Sequence, residues 1–103
     1  MRVRKTNIYI KWLKKFNDEI GKAIIAERIS KIKMGNFGDC FSVGENCFEL
    51  RIHYGAGYRV YFINDKEEII ILLCGGDKST QKQDIIKAKE IARNIEHYTL
   101  EEE

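Results

Sequence analysis

The stretch EEIIILLCGG, residues 67–76, constrains this chain more than any other. Its apolar run from Ile69 to Cys74 has no polar residue to turn toward water, so it predicts a central strand covered on both faces. The rest of the 103-residue chain must supply those covers, and that length suffices for one core and not for two. A single domain over residues 1–103 is expected, its last eight residues forming an acidic tail.

Around that strand the pattern changes period. Residues 2–6, RVRKT, read as a short first strand at a sheet edge. From Asn7, with Thr6 or Asn7 as cap, Ile8, Trp12, Leu13 and Phe16 recur at helical spacing. A second helix starts near Asp18, with Ile20, Ala23, Ile24, Ile29 and Ile32 as its apolar face, and stops before Gly35. A turn, MGNFGD, leads to a short strand near residues 40–44. Ser79 or Thr80 caps a final helix whose Ile85, Ala88, Ala92 and Ile95 share one side, with Lys82 among the residues left polar. This order specifies an α+β domain.

Between the short strand and the central one lies ELRIHYGAGYRVYF, residues 49–62, which reads as a β-hairpin. With Gly55-Ala56-Gly57 as the turn, His53 falls opposite Arg59 and Arg51 opposite Tyr61, all four on one exposed face. Phe48, Leu50, Ile52, Tyr54, Tyr58, Val60 and Phe62 take the other face, ready to bury against helices. Two arginines beside a histidine form a patch suited to phosphate, and Lys78, leaving the end of the central strand, is expected to join it.

Such a patch suits RNA cleavage by transesterification. The histidine moves the proton of the attacking 2′-hydroxyl, and the arginines stabilise the charge that gathers on phosphorus. Two readings stand beside it: phosphate binding without catalysis, and an ordinary sheet surface on which Arg51 and Arg59 pair with Glu49 or solvent. Neither the dinucleotide fingerprint nor the P-loop pattern is present.

Charge and cysteine content narrow the setting. The net charge is +2, but Glu96, Glu101, Glu102 and Glu103 lie in the tail, leaving 18 basic against 12 acidic groups in the body. Residues 1–34 alone carry ten Lys or Arg against three acids, a skew that suits a polyanion. Cys40, Cys47 and Cys74 lack the paired spacing of a zinc site and are expected to be reduced core residues. No stretch is apolar enough to span a membrane, and a cytoplasmic location is expected.

The strings GNFGD, ELRIHYGAGYRVYF and LLCGGDKSTQ, in this order, resemble the RelE/ParE superfamily of toxins from bacterial type II toxin–antitoxin systems. Within it, the chain is most similar to the small addiction-module killer proteins of the HigB/RelE-like branch. The resemblance implies a microbial RNase-type fold: an antiparallel sheet of about four to five strands, an N-terminal helical pair packed on it and a short C-terminal helix. It also implies an mRNA endoribonuclease that works on the ribosome with no metal or other cofactor. Carried over by motif, the catalytic residues are Arg51, His53, Arg59 and Lys78, and Tyr61 and Lys82 are candidate RNA contacts.

The implied partners are mRNA on the ribosome and a helix-turn-helix antitoxin from the same operon, which brings the toxin to operator DNA only indirectly. The final helix departs from RelE-like toxins in having no aromatic residue before Tyr98. The same superfamily offers a rival, a ParE-like DNA gyrase poison that cuts nothing. A third reading is an inactive antitoxin-binding component.

Overall fold

In a computed structural model, described for residues 1–66 and 68–103, the apolar run forms β5 (Ile69–Gly76) near the middle of a six-stranded sheet. The chain runs β1 (Arg2–Thr6), α1 (Asn7–Lys15), α2 (Glu19–Lys33), β2 (Cys40–Gly44), β3 (Cys47–Arg51), β4 (Arg59–Asp65), β5, α3 (Gln81–Arg93) and β6 (Leu100–Glu102). The strand order is β2-β3-β4-β5-β1-β6.

Two features of this sheet correct the expectation. It is mixed, because β1 runs parallel to β5 while its other neighbours pair antiparallel. And β1 is interior, because the acidic C-terminal segment folds back as the sixth strand instead of remaining a tail. Charge complementarity fixes it there. Arg2 pairs with Glu102, Arg4 reaches Glu102 at 3.3 Å, Lys5 reaches Glu103 at 3.2 Å, and Lys33 donates to the Glu103 carbonyl at 2.9 Å.

Each sheet face carries its own core. Val3, Leu50, Ile52, Val60, Phe62, Ile70 and Leu72 pack under α1 and α2, against Tyr9, Ile25, Ile29 and Ile32. The opposite face packs Cys47, Tyr61, Ile63, Ile71, Leu73 and Cys74 against Ala88 and Ile91 of α3. The C-terminal helix therefore lies across the sheet from the helical pair, which is why β5 has to be apolar on both sides. A register shift in the β4–β5 pairing after Tyr61 gives adjacent Leu73 and Cys74 the same core.

The helix starts are set locally. Thr6 Oγ1 accepts from the Tyr9 amide and donates to the Leu73 carbonyl, tying the start of α1 to β5. Asp18 caps α2 through the Gly21 amide at 2.8 Å. Gly21 lies so close beneath Tyr58 that an added Cβ would come within 2.8 Å of its ring. That contact turns Gly21, Ile25, Ile29 and Ile32 inward and leaves Ile20 62% exposed, correcting the expected α2 face. Asp77 and not Ser79 does the capping after β5: its carboxylate accepts from the Ser79 amide over a short 3₁₀ turn, Lys78–Thr80, and Thr80 at the start of α3 makes no side-chain cap.

Candidate functional site

The hairpin keeps the expected faces but not the expected register. Arg51 pairs with Arg59 and Glu49 with Tyr61, a shift of two residues that preserves the alternation of sides. The Ile52 amide donates to the Tyr58 carbonyl, so the connecting loop is His53–Gly57. Tyr58 sets this register. Its ring stacks on Phe16 at 4.8 Å, and its hydroxyl donates to Asp18 at 2.8 Å, anchoring the loop to the start of α2. Gly55 and Gly57 adopt φ values of 58° and 75°, which the tight return of the loop requires.

A groove of about 470 Å³ opens where β3 ends and β4 begins, lined by Arg51, His53, the loop, Arg59 and Lys78. All four residues expected to be catalytic meet there. Lys78 reaches it because its amide approaches the Ala56 carbonyl at 3.4 Å, which packs the turn after β5 against the hairpin loop. Lys82 lies in an adjoining groove with Lys78, Ser79, Thr80 and Gln81.

Under the arginines lies a residue the sequence offered only as a surface partner. Glu49 is 1% exposed. Its Oε1 accepts from Arg51 Nε at 2.7 Å, and its Oε2 accepts from the Tyr61 hydroxyl at 3.0 Å and from Gln81 Nε2 at 2.9 Å. Burial alone would raise its pKa, but the hydrogen bonds from Arg51, Gln81 and Tyr61 outweigh it and hold the carboxylate below its ordinary range. The same contact, through the Glu49 hydrogen bond, raises the pKa of Arg51.

Arg59 is the central cation. It is 9% exposed, and its Nη1 donates to the Gly57 carbonyl at 3.0 Å. Its Nε stands 3.7 Å from Glu49 Oε2 with no hydrogen-bond partner among the described residues. Arg51 is held differently, its guanidinium lying 4.3 Å above the Phe41 ring.

Tyr61 corrects an expectation. It is fully buried, with its hydroxyl committed to Glu49, so it braces the site from below and has no surface to offer RNA. Burial first, then the Glu49 charge, raises its pKa and keeps it a neutral donor. The expected exposed face is thus open only at its end, because α3 covers it from Tyr61 inward.

His53, 73% exposed, has a partner the sequence did not mark: its Nε2 contacts Asp39 Oδ2. Asp39 is placed by Arg28 of α2, whose guanidinium donates to the Arg51, Phe37 and Asp39 carbonyls. Gly38 takes a φ of 65° against that guanidinium, the contact that turns the GNFGD segment toward the groove. Cys74 plays no part at the surface, since burial pushes its thiol up to about 12.

A family described as "Phage derived protein Gp49-like (DUF891)" matches residues 11–96. The chain belongs to this Gp49-like family. A protein of Haemophilus influenzae, described as uncharacterized, is 46% identical over 95 residues, covering 92% of this chain and 96% of that one. The Gp49-like fold also resembles a chain in the crystal structure of the intact E. coli RelBE toxin–antitoxin complex. The TM-score is 0.56 at 12% identity, over 73% of this chain and 93% of that one. At that identity the likeness is one of fold. The Gp49-like match spans both helical layers and every residue lining the groove, and no helix among the described residues is long and apolar enough to cross a membrane.

Proposed function

We propose that this Gp49-like protein is the toxin of a bacterial type II toxin–antitoxin system, an endoribonuclease that cuts mRNA on the ribosome. The observation that carries the reading is the convergence of His53, Arg51, Arg59 and Lys78 on one groove above the buried Glu49. The resemblance to RelE-like and HigB-like toxins in the hairpin and GGDK strings supports it, as does the fold shared with a chain of the RelBE complex.

In this reading a scissile phosphate sits between Arg51 and Arg59. His53, held at Nε2 by Asp39, takes the proton of the neighbouring 2′-hydroxyl. The 2′-oxygen bonds to phosphorus, the bond to the 5′-oxygen breaks, and that oxygen is protonated as it leaves. A 2′,3′-cyclic phosphate and a 5′-hydroxyl result. Arg59 brings the guanidinium N–H groups not spent on the Gly57 carbonyl, Arg51 is charge-fixed by Glu49, and Lys78 adds a point charge at the rim. The charge comes from side chains, so the reading invokes no metal. A helix-turn-helix antitoxin, docked on the exposed faces of the N-terminal helices, would complete the system in the cytoplasm and link it to operator DNA.

The test is to map mRNA 5′ ends after brief induction of the wild type, Arg59→Ala and His53→Ala. New 5′-hydroxyl ends in translated frames, absent from both variants, are expected. His53→Ala guards against a folding artefact, because its side chain is exposed. Growth arrest without cuts would replace this reading with a ParE-like gyrase poison.

A further inference from the structure

Several surface cations of this molecule are already matched. Arg2, Arg4 and Lys5 pair with the C-terminal glutamates, Lys22 with Glu19, Lys31 with Glu27, and Lys89 and Arg93 with Glu45. Among the described residues, Lys14, Lys78 and Lys82 pair with no carboxylate, and neither do Lys11, Lys15 and Lys87, which are set apart because all three line a single groove of about 270 Å³ with Ile8, Trp12 and Gly75.

The groove exists because β5 ends in two glycines. A Cβ on Gly75 would lie 2.3 Å from the Trp12 ring, and one on Gly76 would lie 1.8 Å from Asp84 Oδ2. Alternate side chains point to opposite faces, so the pair lets α1 close in from one side of the sheet and α3 from the other. The lysines of both helices then face each other across the strand end. Asp84 accepts from Thr80 Oγ1 and also interacts with the Lys87 charge, so one carboxylate offsets the three lysines only in part.

We propose that Lys11, Lys15 and Lys87 form a second phosphate subsite, which holds the backbone of the same RNA strand that enters the Arg51–Arg59 groove. It rests on the nuclease reading for the identity of its ligand. Three unmatched ammonium groups around one concavity repel each other until an anion enters, which selects a polyanion over a neutral partner. Continuity selects RNA among polyanions. Gly75 and Lys78, one in each groove, are three residues apart along β5 and the turn after it. That is a span of about 10 Å at most, within reach of a short strand.

The experiment measures binding of 2′-O-methyl RNA, which cannot supply the attacking hydroxyl, at about four and about twelve nucleotides over a salt series. The wild type is compared with the triple variant Lys11→Gln, Lys15→Gln, Lys87→Gln. A control triple variant, Lys22→Gln, Lys31→Gln, Lys89→Gln, removes equal charge from matched positions. Expected is a loss of about tenfold or more for the longer RNA in the first triple variant only. The slope of log affinity against log salt should become shallower by about 2, at roughly 0.7 per single-strand phosphate contact. The shorter RNA should bind all three proteins alike.

Equal losses in both triple variants, or an unchanged slope in the first, overturn the subsite. So does a wild type that binds neither RNA, or a first triple variant that loses affinity for an acidic peptide and not for RNA. Cleavage is read separately by 5′-end mapping. Wild-type cuts with no binding defect in the first triple variant remove the subsite and leave the nuclease, whereas the selective binding defect without cuts does the reverse.

Discussion

Glu49 shows how a buried acid can organise a basic surface. It fixes Arg51, faces Arg59 and takes hydrogen bonds from Tyr61 and Gln81, so its removal strands several donors at once. Glu49→Gln is expected to lower stability at neutral pH by roughly 1–3 kcal/mol, the cost of leaving buried groups unmatched. Because the folded carboxyl titrates below its ordinary value of 4.5, its contribution is present above that value and is lost as pH falls through the folded value. Melting curves of the two proteins should therefore draw together on acidification below about pH 4.5. A gap that stays constant down to pH 3 would show that the charge of Glu49 is not what stabilises. Which side chains share a face was legible in the hairpin, since alternation is a property of the strand itself. The partners were not, because Asp39 and Gln81 reach the site from other elements and nothing in their own segments marks them.

Among the elements, β5 was the most legible, since a strand covered on both sides can have only one kind of sequence. Its glycine pair makes a graded prediction. Gly75→Ala forces a methyl into Trp12, which is wedged between Tyr9 and Phe16 with ring centroids at 5.9 Å and 5.2 Å, and should cost about 1–3 kcal/mol in urea unfolding. Gly76→Ala meets the end of Asp84, which can swing away, and should cost less. The reverse order would mean that Trp12 has room to move. The acidic C-terminal segment was misread because it carries the composition of a solvated tail, and its strand forms only beside the cations of β1. The helical face of α2 was misread for a similar reason, its rotation being set by Tyr58 against Gly21 and not by its own spacing of isoleucines.

Across the whole molecule, the basic skew of residues 1–34 resolves into two populations. Part of it is spent holding the fold, as in Arg2, Arg4, Lys5 and Arg28, and part remains unmatched at Lys11 and Lys15, beside the end of the sheet where the groove opens. No count of charges separates these populations, because the separation depends on where Glu102 and Glu103 come to rest. The α+β class and the convergence of Arg51, His53, Arg59 and Lys78 were legible from pattern, whereas the sixth strand and the two-sided helical cover needed tertiary contacts.

The placement of β5 has a consequence for how the molecule opens. This strand is hydrogen-bonded on both edges from Ile69 to Leu72, is buried on both faces, and leads into the turn that carries Lys78 to the groove. Its amides are expected to exchange with deuterium only when the whole chain unfolds, with protection as high as any in the protein. The sheet behind the groove is therefore the last part to loosen, whereas the lining of the groove is the His53–Gly57 loop and the turn that carries Lys78. Local opening of that loop can reshape the groove while the sheet behind it stays closed.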